Sequence, residues 1–284
     1  MTSPLLRRTV RLLQRGPRAW RAQRADDEEY RRYPPVIVNS FPKSGTHLLS
    51  QVVEAIPGVT DFSTFWASTP SVTLRERSLV NTLRMIERVA PGEMIRGHLF
   101  HHPACGEAIA GRNSVHFFLY RDLRDVAVSE AKYLTYMNRY HRLHRLFRSL
   151  PDDEERISLA IRGCDTTGRG FAFPDIASRF HRFRAWLDDE RIHAVRYEDL
   201  MSGDRAVHIR AILNRYRVHC GREVEIETIL KAAEQNICPE RSHTFRQGTP
   251  GGWKEIFTDR HRSEMKTVAG DLLVELGYEN DRDW

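Results

Sequence analysis

The segment Val36–Leu49, VIVNSFPKSGTHLL, narrows the fold more than any other stretch of the chain. Val36-Ile37-Val38 is a short buried-strand pattern, and from Thr46 to Ile56 apolar residues recur at helical spacing until Pro57-Gly58 stops them. Between the two lies Phe41-Pro42-Lys43-Ser44-Gly45-Thr46. A strand that feeds a helix through so tight a loop belongs to an α/β fold. The loop would wrap a helix N-terminus, where free N–H groups and the positive end of the helix dipole favour an anion. Gly45 lets the backbone approach that anion closely. Ser44 and Thr46 add hydroxyl donors, and Lys43 adds a full charge. The spacing is not that of a Walker A loop, because Lys43 precedes the only glycine. A G-x-G-x-x-G dinucleotide fingerprint is also absent.

The same alternation continues along the chain. Met94-Ile95 and Val115–Tyr120 read as strands, as does Ile192–Tyr197. Leu123–Met137 and Ile176–Leu187 read as helices, and helical patterns recur near 205–216, 225–235 and 260–275. Strands alternating with helices imply a parallel sheet covered on both faces. The expectation is an α/β fold, its central parallel sheet flanked by helices, in one large domain or two small ones. A basic arm over residues 1–33 precedes it. The stretch Asn138–Pro174 is mixed in charge and holds Gly163, Gly168 and Gly170, so it reads as irregular. It is either a lid or specificity insertion, or a plain surface excursion.

Charge sharpens the choice of partner. The 284 residues carry 44 Lys plus Arg against 38 Asp plus Glu, a net charge of +6. Residues 1–24 hold seven Arg and no acid, leaving 37 basic against 38 acidic residues in the rest. A nearly neutral body argues against nucleic-acid binding by the domain. In the arm, Leu5, Leu6, Val10, Leu12 and Leu13 can share one helical face with Arg on the other, and Gly16-Pro17 is expected to interrupt that helix. Its readings are a weak membrane-surface contact, a targeting segment or a solvated arm. No run approaches the ~18 apolar residues of a membrane span. Cys105, Cys164, Cys220 and Cys238 form no CxxC pair, which disfavours a zinc or redox motif and fits a reducing compartment. The expected location is the cytoplasm.

Three further features fall at strand ends or in loops. Arg121 follows the strand Val115–Tyr120, at the carboxyl end where open α/β sheets bind ligands. Ser129 lies eight residues on, a little over two helical turns, and can reach the same pocket. An Arg fork with a hydroxyl suits a phosphate; the bland alternative for RDLRD is a surface ion-pair cluster. His98, in Ile95-Arg96-Gly97-His98-Leu99, is a candidate base. His101 and His102 follow it without a carboxylate or Cys partner, so no metal site is expected. Last, Phe245–Lys254, FRQGTPGGWK, joins Arg246 to several glycines and then Trp253, as in a phosphate-binding loop pinned by an aromatic.

In this order, the features resemble the cytosolic-type sulfotransferases, which use 3′-phosphoadenosine 5′-phosphosulfate (PAPS). FPKSGTHLL resembles the family's 5′-phosphosulfate loop, and YRDLRDVAVSEAKY its 3′-phosphate motif with Arg and Ser eight apart. RGHL resembles the segment of the catalytic His, RYEDL at Arg196–Leu200 the strand end whose Tyr lies by adenine, and RQGTPGGWK the late R-K-G-x-x-G-x-W-K motif. The resemblance runs from residue 36 to about 260. It implies a single α/β, P-loop-like domain over residues 34–284 with a central parallel sheet, and sulfuryl transfer from PAPS to an acceptor hydroxyl of a small molecule, lipid or glycan, without a metal. Catalysis would fall to Lys43, His98 and Ser129. Lys43, Ser44, Gly45, Thr46, His47, Leu48, Arg121, Ser129, Tyr197, Arg246, Gln247 and Gly248 would hold PAPS. By the same resemblance, Ser129 would also hold Lys43 back until the acceptor binds. Leu48 stands where the family often has an adenine-stacking Trp, and Gln247 where it has Lys. The family's dimer motif is half present, with Lys254 and Thr258 but not its later residues, so no dimer is inferred. Phe62, Phe65, Trp66, Phe171 and Phe173, within 59–93 and 138–175, would face the acceptor or fill the core. The competing readings are a P-loop-type phosphoryl-transfer enzyme, such as a kinase, and a non-catalytic module for a nucleotide or an anionic glycan.

Overall fold

Five short segments supply the strands: Val36–Ser40 (β1), Thr60–Ala67 (β2), Glu93–His98 (β3), Val115–Tyr120 (β4) and Ile192–Arg196 (β5). A computed structural model of the chain describes residues 16–165, 171–238 and 249–284. Its sheet runs in the order β2-β3-β1-β4-β5, and every pairing is parallel. This is the expected α/β architecture. β1 is central and buried along its whole length, as a strand covered on both faces must be.

Alternate side chains of the strands feed two cores. Ile37, Ile95 and Phe118 enter one, with Phe180, Phe183 and Trp186, and helices Leu123–Lys132, Asp153–Arg162 and Asp259–Glu275 help to close it. Val36, Val38, Met94, Phe117 and Leu119 enter the other, beneath helices Thr46–Val53, Arg205–His219 and Ile226–Asn236. The register sets Asn39 beside Gly97 of β3 and Phe118 of β4, so the carboxyl ends of β1, β3 and β4 lie side by side. The chain goes from β1 toward β2 and β3 on one side and returns to β4 and β5 on the other. That makes the end of β1 a topological switch point, the crevice where open sheets bind ligands.

The structure departs from the sequence reading in several elements. β2 was not anticipated; it is a half-exposed edge strand with a register shift between Asp61 and Phe65 and a left-handed Ser63, which blurs its alternation. Leu123–Met137 divides into an α-helix to Lys132 and a π-helical turn, Tyr133–Met137. Asn138–Pro174 is not plainly irregular, for it contains helices His144–Ser149 and Asp153–Arg162. The second has an Asp152 cap, acids in its first turn and a stop at Gly163, whose φ of 65° suits glycine. Tyr197 opens a short helix, Tyr197–Leu200, rather than ending β5.

Residues 16–24 are helical, so Gly16-Pro17 lies within helical structure; Leu5, Leu6, Val10, Leu12 and Leu13 lie outside the described residues. Arg18 ties this helix to the domain. Its Nε donates to Glu93 at 2.6 Å and its Nη2 to the Arg88 carbonyl at 2.9 Å. Glu93 is fully buried and also accepts from Thr64 and the Ala90 N–H. A buried carboxylate that loses its cation is costly. Arg18→Ala should therefore lower stability by about 1–3 kcal/mol, read from urea unfolding midpoints.

Candidate functional site

The loop after β1 is anchored from within. Phe41 is buried, edge-on to Phe180 at 5.1 Å and to Phe183 at 5.5 Å, and its N–H donates to Leu119 at 3.0 Å. Beyond it the backbone turns through two left-handed residues, Lys43 at φ 69° and Gly45 at φ 98°. A Cβ on Gly45 would lie 2.5 Å from the Tyr197 ring, so both the dihedral and the space demand glycine. Gly45 caps helix Thr46–Val53 without a side-chain hydrogen bond, and no acid stands in its first turn. The positive end of the helix is thus left for another anion. The Ser44 hydroxyl is buried and has no hydrogen-bond partner among the described residues. A buried hydroxyl left without a partner is a donor that a ligand could use.

Ser40, the last residue of β1, joins this loop to His98. Its hydroxyl lies 2.6 Å from the Thr46 hydroxyl and 3.2 Å from His98 Nδ1. Its carbonyl lies 2.9 Å from the same nitrogen. A carbonyl only accepts, so Nδ1 carries the proton and Nε2 keeps the lone pair. Burial, and secondarily the positive charge of Lys43 and His47, hold the imidazole down at about 4, against backbone hydrogen bonding to Ser40. His98 is therefore a neutral base across the physiological range. Phe65 of β2 covers it edge-on at 5.1 Å.

Arg121 leaves the end of β4 and bonds Asp125 at 3.1 Å, with its guanidinium 4.3 Å over the Tyr197 ring. Its Nε is buried without a partner among the described residues. Asp125 also accepts the Gly251 and Trp253 N–H groups, each at 2.9 Å, and so fastens the late glycine loop beside Arg121. Arg124 is buried, chelated by Asp122 and paired with Glu279, and lies 4.0 Å over Trp253 and 4.5 Å over Trp284. RDLRD is thus a buried brace rather than a surface cluster. Lys43 Nζ lies 4.0 Å over the Tyr133 ring. Burial lowers the ammonium to about 8, with Glu130 pulling it up and Arg121 pushing it down.

The fold thus brings Lys43, Ser44, Gly45, Thr46, His98, Arg121 and Tyr197 to one edge of the sheet. Ser129 is partly exposed on helix Leu123–Lys132, two turns after Arg121. His47 is exposed, and its charge acts on His98. Leu48 is buried in the apolar cluster beneath the sheet. Arg246, Gln247 and Gly248 lie outside the described residues. Of the aromatics expected near the acceptor, Trp66 and Phe173 belong to the core, while Phe65 stands against His98. Among the described residues no group of His, Cys, Asp and Glu is arranged to hold a metal ion, and no helix is long and apolar enough to cross a membrane.

Sequence reasoning missed Asn39, Ser40, Asp125 and Tyr133. Asn39 is fully buried and pairs with both backbone groups of Leu99, donating to the carbonyl at 3.0 Å and accepting the N–H at 2.8 Å. A polar Asn-Ser ending an apolar strand was the available signal, since buried polar groups need partners.

A family model described as sulfotransferase domain matches residues 33–277. No curated protein matches the chain. Among solved structures, a mouse sulfotransferase complexed with PAP aligns at TM-score 0.58 and 17% identity, covering 93% of this chain and 90% of that one. A retinol dehydratase in complex with androsterone and inactive cofactor PAP aligns at 0.54 and 16%, covering 92% and 85%. Retinol dehydratase with retinol and PAP aligns at 0.53 and 16%, covering 92% and 86%. At these identities the likeness concerns the fold.

Two outcomes follow from the geometry. Gly45→Ala combines a left-handed backbone with a clash and should destabilise by about 3 kcal/mol or more, measured by chemical denaturation. An NMR titration should find His98 neutral down to about pH 4. In the unfolded chain it takes up a proton near 6.5, so unfolding binds protons between those values. Stability should fall as pH drops through that window, by up to about 1.4 kcal/mol per pH unit from this residue.

Proposed function

The chain belongs to the sulfotransferase family, and from that membership we propose that it moves a sulfuryl group from PAPS to an acceptor hydroxyl, with His98 as base and Lys43 stabilising the leaving oxygen. The observation that carries this reading is the Ser40 bridge. It places a neutral imidazole, its Nε2 lone pair available, beside an uncapped helix N-terminus whose loop holds Lys43.

PAPS fits the chain's own groups. The uncapped helix start, the unpartnered Ser44 hydroxyl and the Lys43 ammonium suit the 5′-phosphosulfate. Arg121, with its unpartnered Nε, and Ser129 suit the 3′-phosphate. Tyr197 packs between Gly45 and Arg121, and this contact holds the two anion sites at a fixed distance. When bound, PAPS supplies the sulfuryl group: the bond from sulfur to the oxygen bridging it to phosphate breaks as the acceptor oxygen bonds sulfur.

His98 Nε2 takes the acceptor's proton. As charge grows on the departing bridging oxygen, Lys43 donates to it. Both acts need a particular protonation state, His98 unprotonated and Lys43 protonated. Positioning and charge stabilisation supply the rest, as in phosphoryl transfer. The family match weighs against the kinase reading, and His98 beside Lys43 against a purely binding module.

Incubation with radiolabelled PAPS and a panel of phenolic, sterol, lipid and glycan hydroxyl acceptors should yield labelled product. ATP use without PAPS use would sink the proposal. Lys43→Ala should lower turnover ~10²–10³-fold and His98→Ala ~10²–10⁴-fold, with folding kept. The pH profile of kcat/KM for PAPS should decline above about 8, where Lys43 loses its proton, and near about 4, where His98 gains one. Lys43→Arg should remove the alkaline decline.

A further inference from the structure

We propose that Tyr133 is a positioning residue for Lys43: its ring face seats the ammonium and keeps it charged and aimed until it donates to the leaving oxygen. This rests on the sulfuryl-transfer reading for its purpose, but not for its geometry.

The lysine nitrogen lies 4.0 Å from the ring centroid, well inside cation–π range. Both partners are held from behind. Lys43 leaves the loop from a left-handed backbone at φ 69°, which directs its side chain and is uncommon for a residue with a Cβ. Tyr133 opens the π-helical turn Tyr133–Met137, at the junction with the preceding α-helix. Asn138 closes that turn and grips Tyr133 twice: its N–H donates to the Tyr133 carbonyl at 3.1 Å and its side-chain amide to the phenol oxygen at 2.8 Å. A π turn inside a helix is a common device at functional sites.

The neighbouring charges explain why a ring does this work. Burial disfavours the ammonium, and Arg121 disfavours it further. The positive charge of Lys43, like that of His47, in turn helps to keep His98 neutral. Among the described residues Glu130 is the carboxylate that pulls Lys43 toward its charged form, and it is engaged by Arg179 at 2.5 Å. A carboxylate placed against Lys43 would keep it charged, yet would also repel an incoming phosphosulfate and hold the lysine too tightly to release. An aromatic face stabilises the cation without adding a negative charge. Its weak hold can be exchanged for a hydrogen bond to the bridging oxygen.

The test uses Tyr133→Leu and Tyr133→Phe. Tyr133 is only partly buried, and neither change introduces a polar group. First, Lys43 acetylation by acetic anhydride is followed against pH by mass spectrometry on the free protein. The wild-type midpoint should lie at about 8. Removing the ring removes a contact that favours the charged form, so Tyr133→Leu should lower the midpoint by about one pH unit. Tyr133→Phe, which keeps the ring, should restore it. Second, Tyr133→Leu should lower kcat ~10-fold while KM for PAPS changes less than about twofold, because aim matters most as charge develops. An unchanged midpoint in Tyr133→Leu would overturn the proposal, and so would an equal shift in Tyr133→Phe. Absence of any PAPS-dependent turnover would overturn the functional reading instead, and the acetylation midpoint would still decide the role of the ring.

Discussion

The site depends on the two hydrogen bonds between the Asn39 side chain and the backbone of Leu99. A fully buried amide is tolerated only when its groups are paired, and this one pairs with the donor and the acceptor of the residue after His98. The contact locks the exit of β3 against β1. His98 then turns Nδ1 toward Ser40, whose carbonyl accepts its N–H, and from there its tautomer is set. Trp186 adds a second donor to the Leu99 carbonyl at 2.8 Å, so the strand end is held from both sides of its peptide.

A second set of constraints runs from the chain's later segments back to the sheet edge. Asp125 collects Arg121 and two N–H groups of the glycine loop. Arg124 packs against the rings of both Trp253 and Trp284 while bonding Asp122 and Glu279. Glu198 accepts the Asp122 N–H and the Tyr278 hydroxyl. The buried charges of Arg121, Asp122, Arg124 and Asp125 survive here because each has an opposite charge and further hydrogen bonds. The result is a packed frame for Arg121, whose Nε has no partner among the described residues.

Much of this was legible from local pattern. The strand, loop and helix around Lys43 could be read because β1 is apolar throughout, the helix has a clear period and Gly45 sits at the one position that forbids a Cβ. β2 could not, because a half-exposed edge strand with a register shift carries no clean alternation. Pocket and core both stay open for Trp66 and Phe173 in the sequence, because large aromatics serve either; burial decided for the core. Leu48 was assigned by its place in a motif, and the helical turn carries it into the apolar cluster.

The sequence alone determined the parallel α/β plan, the strand–loop–helix form around Lys43 and the family of the chain, because periodicity, turn chemistry and motif order are local properties. Tertiary structure decided what those residues can do. Whether His98 is neutral, which of its nitrogens faces outward, and what seats Lys43 follow from burial and from partners brought in from elsewhere in the chain: Ser40 for one and Tyr133 for the other. Protonation and aim are set by the environment a side chain is packed into, and packing joins residues that the sequence keeps apart.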